Sequence, residues 1–145
     1  MPHERTLRVL VVTDRTAASP ALLDAISERA SRDLVQFRVV VTNPAPAEVH
    51  LLHPERHTKA TEAEAVLRDV LPLIESAAGA DVVGSVSVRH DPMDAVEETM
   101  FSEPIDEIMV CVAAHGFSRL LHQGLAQRLK HFGLPVTSVP QTARR

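Results

Sequence analysis

Short runs of apolar, mostly β-branched residues alternate with segments of helical periodicity along this chain. The clearest runs are residues 9–12 (VLVV) and 108–112 (IMVCV), which are apolar at every position. Such runs are typical of strands that are buried on both faces of a parallel sheet. Because parallel neighbours need crossover connections, which are almost always helical, the alternation predicts an α/β fold. We expect an open, doubly wound, five-stranded parallel sheet with helices on both faces.

Five strands and four helices are predicted from these patterns. The predicted strands are residues 9–12, 37–41, 82–88, 108–112 and 136–139. Ser19 followed by Pro20 has the pattern of an N-cap residue and a first helical residue, which predicts the start of the first helix. Asp91 and Pro92 repeat this pattern at the start of the third helix.

The second helix is predicted to follow a loop that reaches about residue 58. Thr61 and Glu64 have the spacing of a capping box, so we expect the helix to begin there. Its predicted apolar face consists of Ala63, Val66, Leu67, Val70, Leu73, Ile74 and Ala77. We expect a kink at Pro72, which has no N–H for the carbonyl of Arg68, and we expect Gly79 to end the helix.

The length and composition limit the class of protein. A chain of 145 residues fits one domain over residues 1–145. Fifteen Lys and Arg against nineteen Asp and Glu give a net charge of −4 with no basic stripe, so we expect no nucleic-acid partner. No apolar run approaches the ~20 residues of a membrane span, so we expect no membrane partner. The single cysteine, Cys111, allows no intrachain disulfide, which favours a cytoplasmic protein.

The carboxyl ends of the predicted strands are where we expect a ligand. In open α/β sheets, ligands bind outside those ends, at the point where the strand order reverses. The residues concerned are Asp14, the neighbourhood of Val41, His90 with Asp91, and residues 113–116. The periodicity alone does not determine the order of the strands.

Several segments of the chain resemble a known family. Residues 11–22 (VVTDRTAASPAL) resemble the opening of universal stress protein domains, with a strand, an aspartate, a polar turn, a serine and a helix. Residues 90–96 (HDPMDAV) are similar to the third strand-to-helix turn of that family. Residues 110–116, 118–121 and 134–136 resemble its C-terminal third. The resemblance implies a strand order of 3-2-1-4-5, a homodimer, and ATP binding as found in many members.

Nucleotide-binding members of that family have the motif Gly-x2-Gly-x9-Gly-Ser/Thr after the fourth strand. Its glycines let backbone N–H groups approach the phosphates at a helix N-terminus. In this chain Ala113 stands at the first glycine and Gly116 at the second, and Gly124 follows after only seven residues. Leu125 stands where the hydroxyl residue is expected. We therefore expect a weakened phosphate cradle.

This chain matches the nucleoside end of the family's site better than the phosphate end. Asp14 and Val41 occupy the positions that hold the nucleoside, and Arg15 and Arg119 could add charge because a guanidinium can bind phosphate through two hydrogen bonds. The nucleotide site that the resemblance implies consists of Asp14, Val41, Ala113, Gly116, Arg119 and Gly124. An intact nucleoside end beside a damaged phosphate end suggests weak binding of ATP or AMP, or a lost site.

Each of these residues also has a purely structural interpretation. Asp14 could bind backbone amides of its own turn, and Gly116 could provide a turn with positive φ. Gly124 could be a close-packing position inside a helix. Arg15 and Arg119 could be solvated surface charges.

No catalytic residue and no metal site are predicted. Three histidines lie in the long loop: His50, His53 and His57. They would align only in a helix, and Pro54 interrupts their spacing. Cys111 is expected to be a small buried residue. A nucleophilic pair with His115 is disfavoured because four residues of extended chain, at roughly 3.3 Å each, separate the two.

Three functions remain open at this stage. We favour a non-enzymatic regulatory or stress-response binding protein that requires no cofactor, has weak or lost ATP binding and acts through an unknown protein partner. The alternative is a protein that binds ATP or AMP at the carboxyl ends of strands 1 and 4, with slow or no hydrolysis. The third is a different small-molecule enzyme on the same fold, for which the sequence contains no recognisable nucleophile or base.

Overall fold

The structure of the chain is a computed structural model, which describes residues 6–14, 19–42, 54–87, 92–111 and 127–139. Within these ranges the strands are β1 (Leu7–Thr13), β2 (Val35–Thr42), β3 (Val83–Ser87), β4 (Glu107–Cys111) and β5 (Val136–Ser138). The helices are α1 (Pro20–Ala30), α2 (Pro54–Ala78) and α3 (Pro92–Ser102). Residues 127–129 are also helical and lead into a 3-10 turn, Lys130–Phe132.

The strands form a single parallel sheet in the order β3-β2-β1-β4-β5. β1 lies at its centre. It pairs with β2 from Leu7 to Thr13 and with β4 from Val9 to Thr13. The predicted α/β class and the order 3-2-1-4-5 are therefore confirmed.

The side chains of β1 alternate between two apolar cores. Val9 and Val11 belong to a core that also contains side chains of α1 and α2. Leu10 and Val12 belong to a core that also contains side chains of α3, together with Leu129. All four of these β1 side chains are fully buried. Helices cover both faces as predicted, because a strand that is apolar at every position needs apolar neighbours on both sides.

The predicted helix ends near Ser19 and Gly79 are confirmed. Ser19 is the N-cap of α1, where its Oγ accepts a 3.2 Å hydrogen bond from the N–H of Leu22, and Pro20 is the first helical residue. Gly79 has a φ of +75°, and its N–H donates to the carbonyl of Glu75 over 2.8 Å. Glycine adopts this left-handed conformation without the steric cost that a side chain would add.

The predicted start of α2 is wrong. The helix begins at Pro54 rather than at Thr61, and its 25 residues include part of the predicted loop. Proline is tolerated in the first turn of a helix because no carbonyl needs its missing N–H there. Residues 55–62 (ERHTKATE) include several good helix formers but lack the apolar periodicity on which the prediction relied. Pro72 lies inside the helix, and the kink expected there stays a prediction.

One residue of the predicted apolar face of α2 lies elsewhere. Leu73 is 48% exposed, whereas Ala63, Val70 and Ile74 are buried in the core. Because successive helical residues are about 100° apart, Leu73 lies at the margin of the face that the other three form.

The strand bounds also differ from the predicted ones by one or two residues. β1 and β2 both start earlier than predicted, because backbone pairing continues beyond the apolar runs to Leu7 and Val35. β3 starts one residue later, and the N–H of Val82 instead donates to the carboxylate of Glu75 over 3.1 Å.

A largely buried ion pair attaches α1 to β4. The side chains of Arg29 and Glu107 are 8% and 13% exposed. Arg29 Nη2 and Nε donate to the Glu107 carboxylate over 2.8 and 3.0 Å, and Nη1 donates to Asp33 over 2.8 Å. These hydrogen bonds raise the pKa of Arg29 above its already high usual value, despite the opposing effect of burial. At the other end of α1, Ser19 Oγ lies 4.0 Å from Cys111 Sγ.

We expect Arg29→Met to lower the free energy of unfolding by about 3–5 kcal/mol, because Glu107 would keep a buried charge without its partner. The double variant Arg29→Met, Glu107→Gln should recover part of that loss, because the buried charge is removed. Chemical denaturation measures both. The control is Arg32→Met: its ion pair with Glu28, at 4.0 Å, joins side chains 59% and 71% exposed, so we expect no measurable change. Equal losses for Arg29→Met and Arg32→Met would contradict the structural role of the buried pair.

Candidate functional site at the carboxyl edge of the sheet

The carboxyl ends of β2, β1 and β4 lie side by side at one edge of the sheet. Thr13 ends β1 and is in register with Val41 of β2 and with Cys111, which ends β4. Asp14 follows Thr13 directly. The structure therefore brings Asp14 and Val41 to the same edge on adjacent strands. Because β2 and β4 flank β1, this is also where the strand order reverses, the usual ligand position in such sheets.

Asp14 and Val41 differ in their access to solvent. Val41 is 1% exposed, and its side chain belongs to the core beneath α1 and α2. Asp14 is partly exposed, and the residue already takes part in an interaction within the protein. A ligand at this edge can therefore reach Asp14, whereas the side chain of Val41 lies in the apolar core.

Thr13 is a residue that the sequence patterns did not single out. Its side chain is fully buried, and its Oγ1 has no hydrogen-bond partner among the residues that the structure describes. Its carbonyl, by contrast, accepts a 3.3 Å hydrogen bond from Thr42 Oγ1. A buried hydroxyl without a partner costs about 1–3 kcal/mol, so such groups are uncommon away from ligand or water sites. The sequence feature that could have identified Thr13 is that a hydroxyl residue ends an otherwise apolar run just before Asp14.

Cys111 is fully buried at the end of β4. Its Sγ lies 4.0 Å from Ser19 Oγ, the same oxygen that caps α1. The prediction that Cys111 is a small buried residue is confirmed. Because substrates cannot reach a thiol enclosed in this way, the position does not favour a nucleophile.

Part of the predicted site lies outside the described residues. These positions are Ala113, Gly116, Arg119 and Gly124, together with Arg15 and His115. The same holds for His50, His53 and the side chain of His57. The roles predicted for them stay predictions.

The strand order and the position of this edge allow a comparison with solved structures. A universal stress protein from Archaeoglobus fulgidus matches with a TM-score of 0.57 and 18% sequence identity, over 92% of this chain and 93% of that chain. The fold is similar to that of a universal stress protein. No protein-family model and no curated protein sequence matches the chain. The universal-stress fold that the sequence resemblance implied is thus supported by the three-dimensional architecture.

Two further properties concern only the part of the chain that the structure describes. Its His, Cys, Asp and Glu side chains form no group of three or more that could hold a metal ion. None of its helices combines the length and the apolar character needed to cross a membrane.

We expect Thr13→Val to leave the stability of the ligand-free protein unchanged or to raise it by about 1 kcal/mol, because a methyl group replaces an unpartnered buried hydroxyl. Thr42→Val is the matched control: Thr42 is also buried at this edge, but its hydroxyl donates to Thr13. It should lose about 0.5–1.5 kcal/mol. Thermal denaturation compares the two. An equal loss in both variants would mean that the Thr13 hydroxyl is hydrogen-bonded in solution.

Proposed function

We propose that this chain is a cytoplasmic regulatory protein of the universal-stress type, a non-enzymatic stress-response binding module in which ATP binding is weak or lost. The proposal rests on a contrast between two ends of one site. Asp14 and Val41 lie together at the carboxyl edge of the sheet. The segment that would hold the phosphates has seven residues between Gly116 and Gly124 instead of nine, and Leu125 in place of a hydroxyl residue.

The physical reason concerns the phosphates. Their charge is bound by backbone N–H groups at a helix N-terminus, which must all lie within hydrogen-bond distance at once. A loop shorter by two residues displaces some of those donors, and Leu125 offers no hydroxyl. Most of the affinity then comes from contacts with the nucleoside, and these contacts must also offset the freedom of motion that the ligand loses on binding. We infer that the triphosphate adds little to the affinity.

The burial of Cys111 supports a non-enzymatic role. It is the only thiol in the sequence and lies fully enclosed at the end of β4, so covalent catalysis through sulfur is disfavoured. A binding module, in contrast, needs only an edge with polar groups such as Asp14.

A second candidate function is adenine-nucleotide binding with slow or no hydrolysis. The observation that favours it is that Asp14, which follows the end of β1, is partly exposed at the same edge of the sheet as Val41. A carboxylate at this edge can accept hydrogen bonds from the hydroxyl or amino groups of a nucleoside. In this case ATP or AMP is the ligand.

The two candidates are separated first by an ultraviolet spectrum of the freshly purified protein. The chain has no Trp and no Tyr, so it is nearly transparent near 280 nm and a co-purified adenine nucleotide would dominate the spectrum. We expect no adenine band. A strong band, with ATP or AMP identified by mass after denaturation, would overturn the weak-binding proposal in favour of the second candidate.

A titration with Mg-ATP and with AMP gives the quantitative test. We expect a rise in Tm of no more than about 1–2 °C at a ligand concentration of about 1 mM, because stabilisation grows only as RT ln(1 + [L]/Kd). Should a larger shift appear, Asp14→Ala is expected to reduce it. Asp24→Ala, at an exposed position of α1, is the matched control and should respond as the unchanged protein does. A large shift that survives in Asp14→Ala would place the ligand away from this edge.

We also propose that the protein is a homodimer formed through β5, which is an edge strand of the sheet. A strand at the edge of a sheet can pair through its backbone with a second copy of the chain. Thr137 is exposed there, and Pro140 follows, so the dimer is expected to be weaker than one formed by a long apolar strand.

Sedimentation at several concentrations tests this proposal, with the monomer at 15.8 kDa. At micromolar concentrations and higher we expect a dimer. We expect Thr137→Lys to shift this dimer to the monomer, because an added charge blocks edge pairing. Gln127→Lys introduces the same charge at another exposed residue and should not change the mass. A monomer at every concentration, or equal effects of both variants, would refute the β5 dimer.

A further inference from the structure

We draw no further inference here: the strongest candidate, the surface patch at the end of α3 where the side chain of Phe101 is 90% exposed, carries nothing because nothing in the structure shows what covers it.

Discussion

The rest of this structure depends on β1, which is buried on both faces and paired along both edges. Because its side chains are apolar at every position from Val9 to Val12, β1 requires a helical layer on each side. Because β2 and β4 pair with it on opposite sides, the strand order reverses at its carboxyl end. Polar residues are therefore confined to the two ends of the strand, where Arg8 and Thr13 lie.

These two ends have different chemistry. At the carboxyl edge, a buried neutral hydroxyl lies next to the partly exposed carboxylate of Asp14. At the amino edge, cationic side chains meet carboxylates in networks that include Arg38 with Glu103 and Arg29 with Glu107. α1 connects the edges, because its start lies against the end of β4 and its last turn is paired to the start of β4. Removing one partner of such a buried pair is costly even where the whole pair adds little net stability.

Local patterns predicted the features that depend on neighbouring residues. Ser19 caps α1 and Gly79 ends α2, and both effects act within a single helical turn. The prediction was wrong for the start of α2, because Pro54 begins a polar first segment that has no apolar periodicity. Of the candidate site, Asp14 and Val41 were placed correctly at the carboxyl edge, whereas Thr13 was overlooked because a threonine in a strand has no distinctive pattern.

The sequence by itself determined the α/β class, the helical cover on both faces and several helix ends, because hydrophobic periodicity and capping act over a few neighbouring residues. The order of the strands followed from resemblance and was decided physically by tertiary pairing, which no local pattern encodes. Only the tertiary structure showed that Arg38 contacts Glu103, 65 residues away. It also showed that Arg38 Nη1 and the Thr13 hydroxyl are buried without hydrogen-bond partners in the described part of the chain. Burial and partnership are properties of distant segments packed together, and a sequence pattern contains neither.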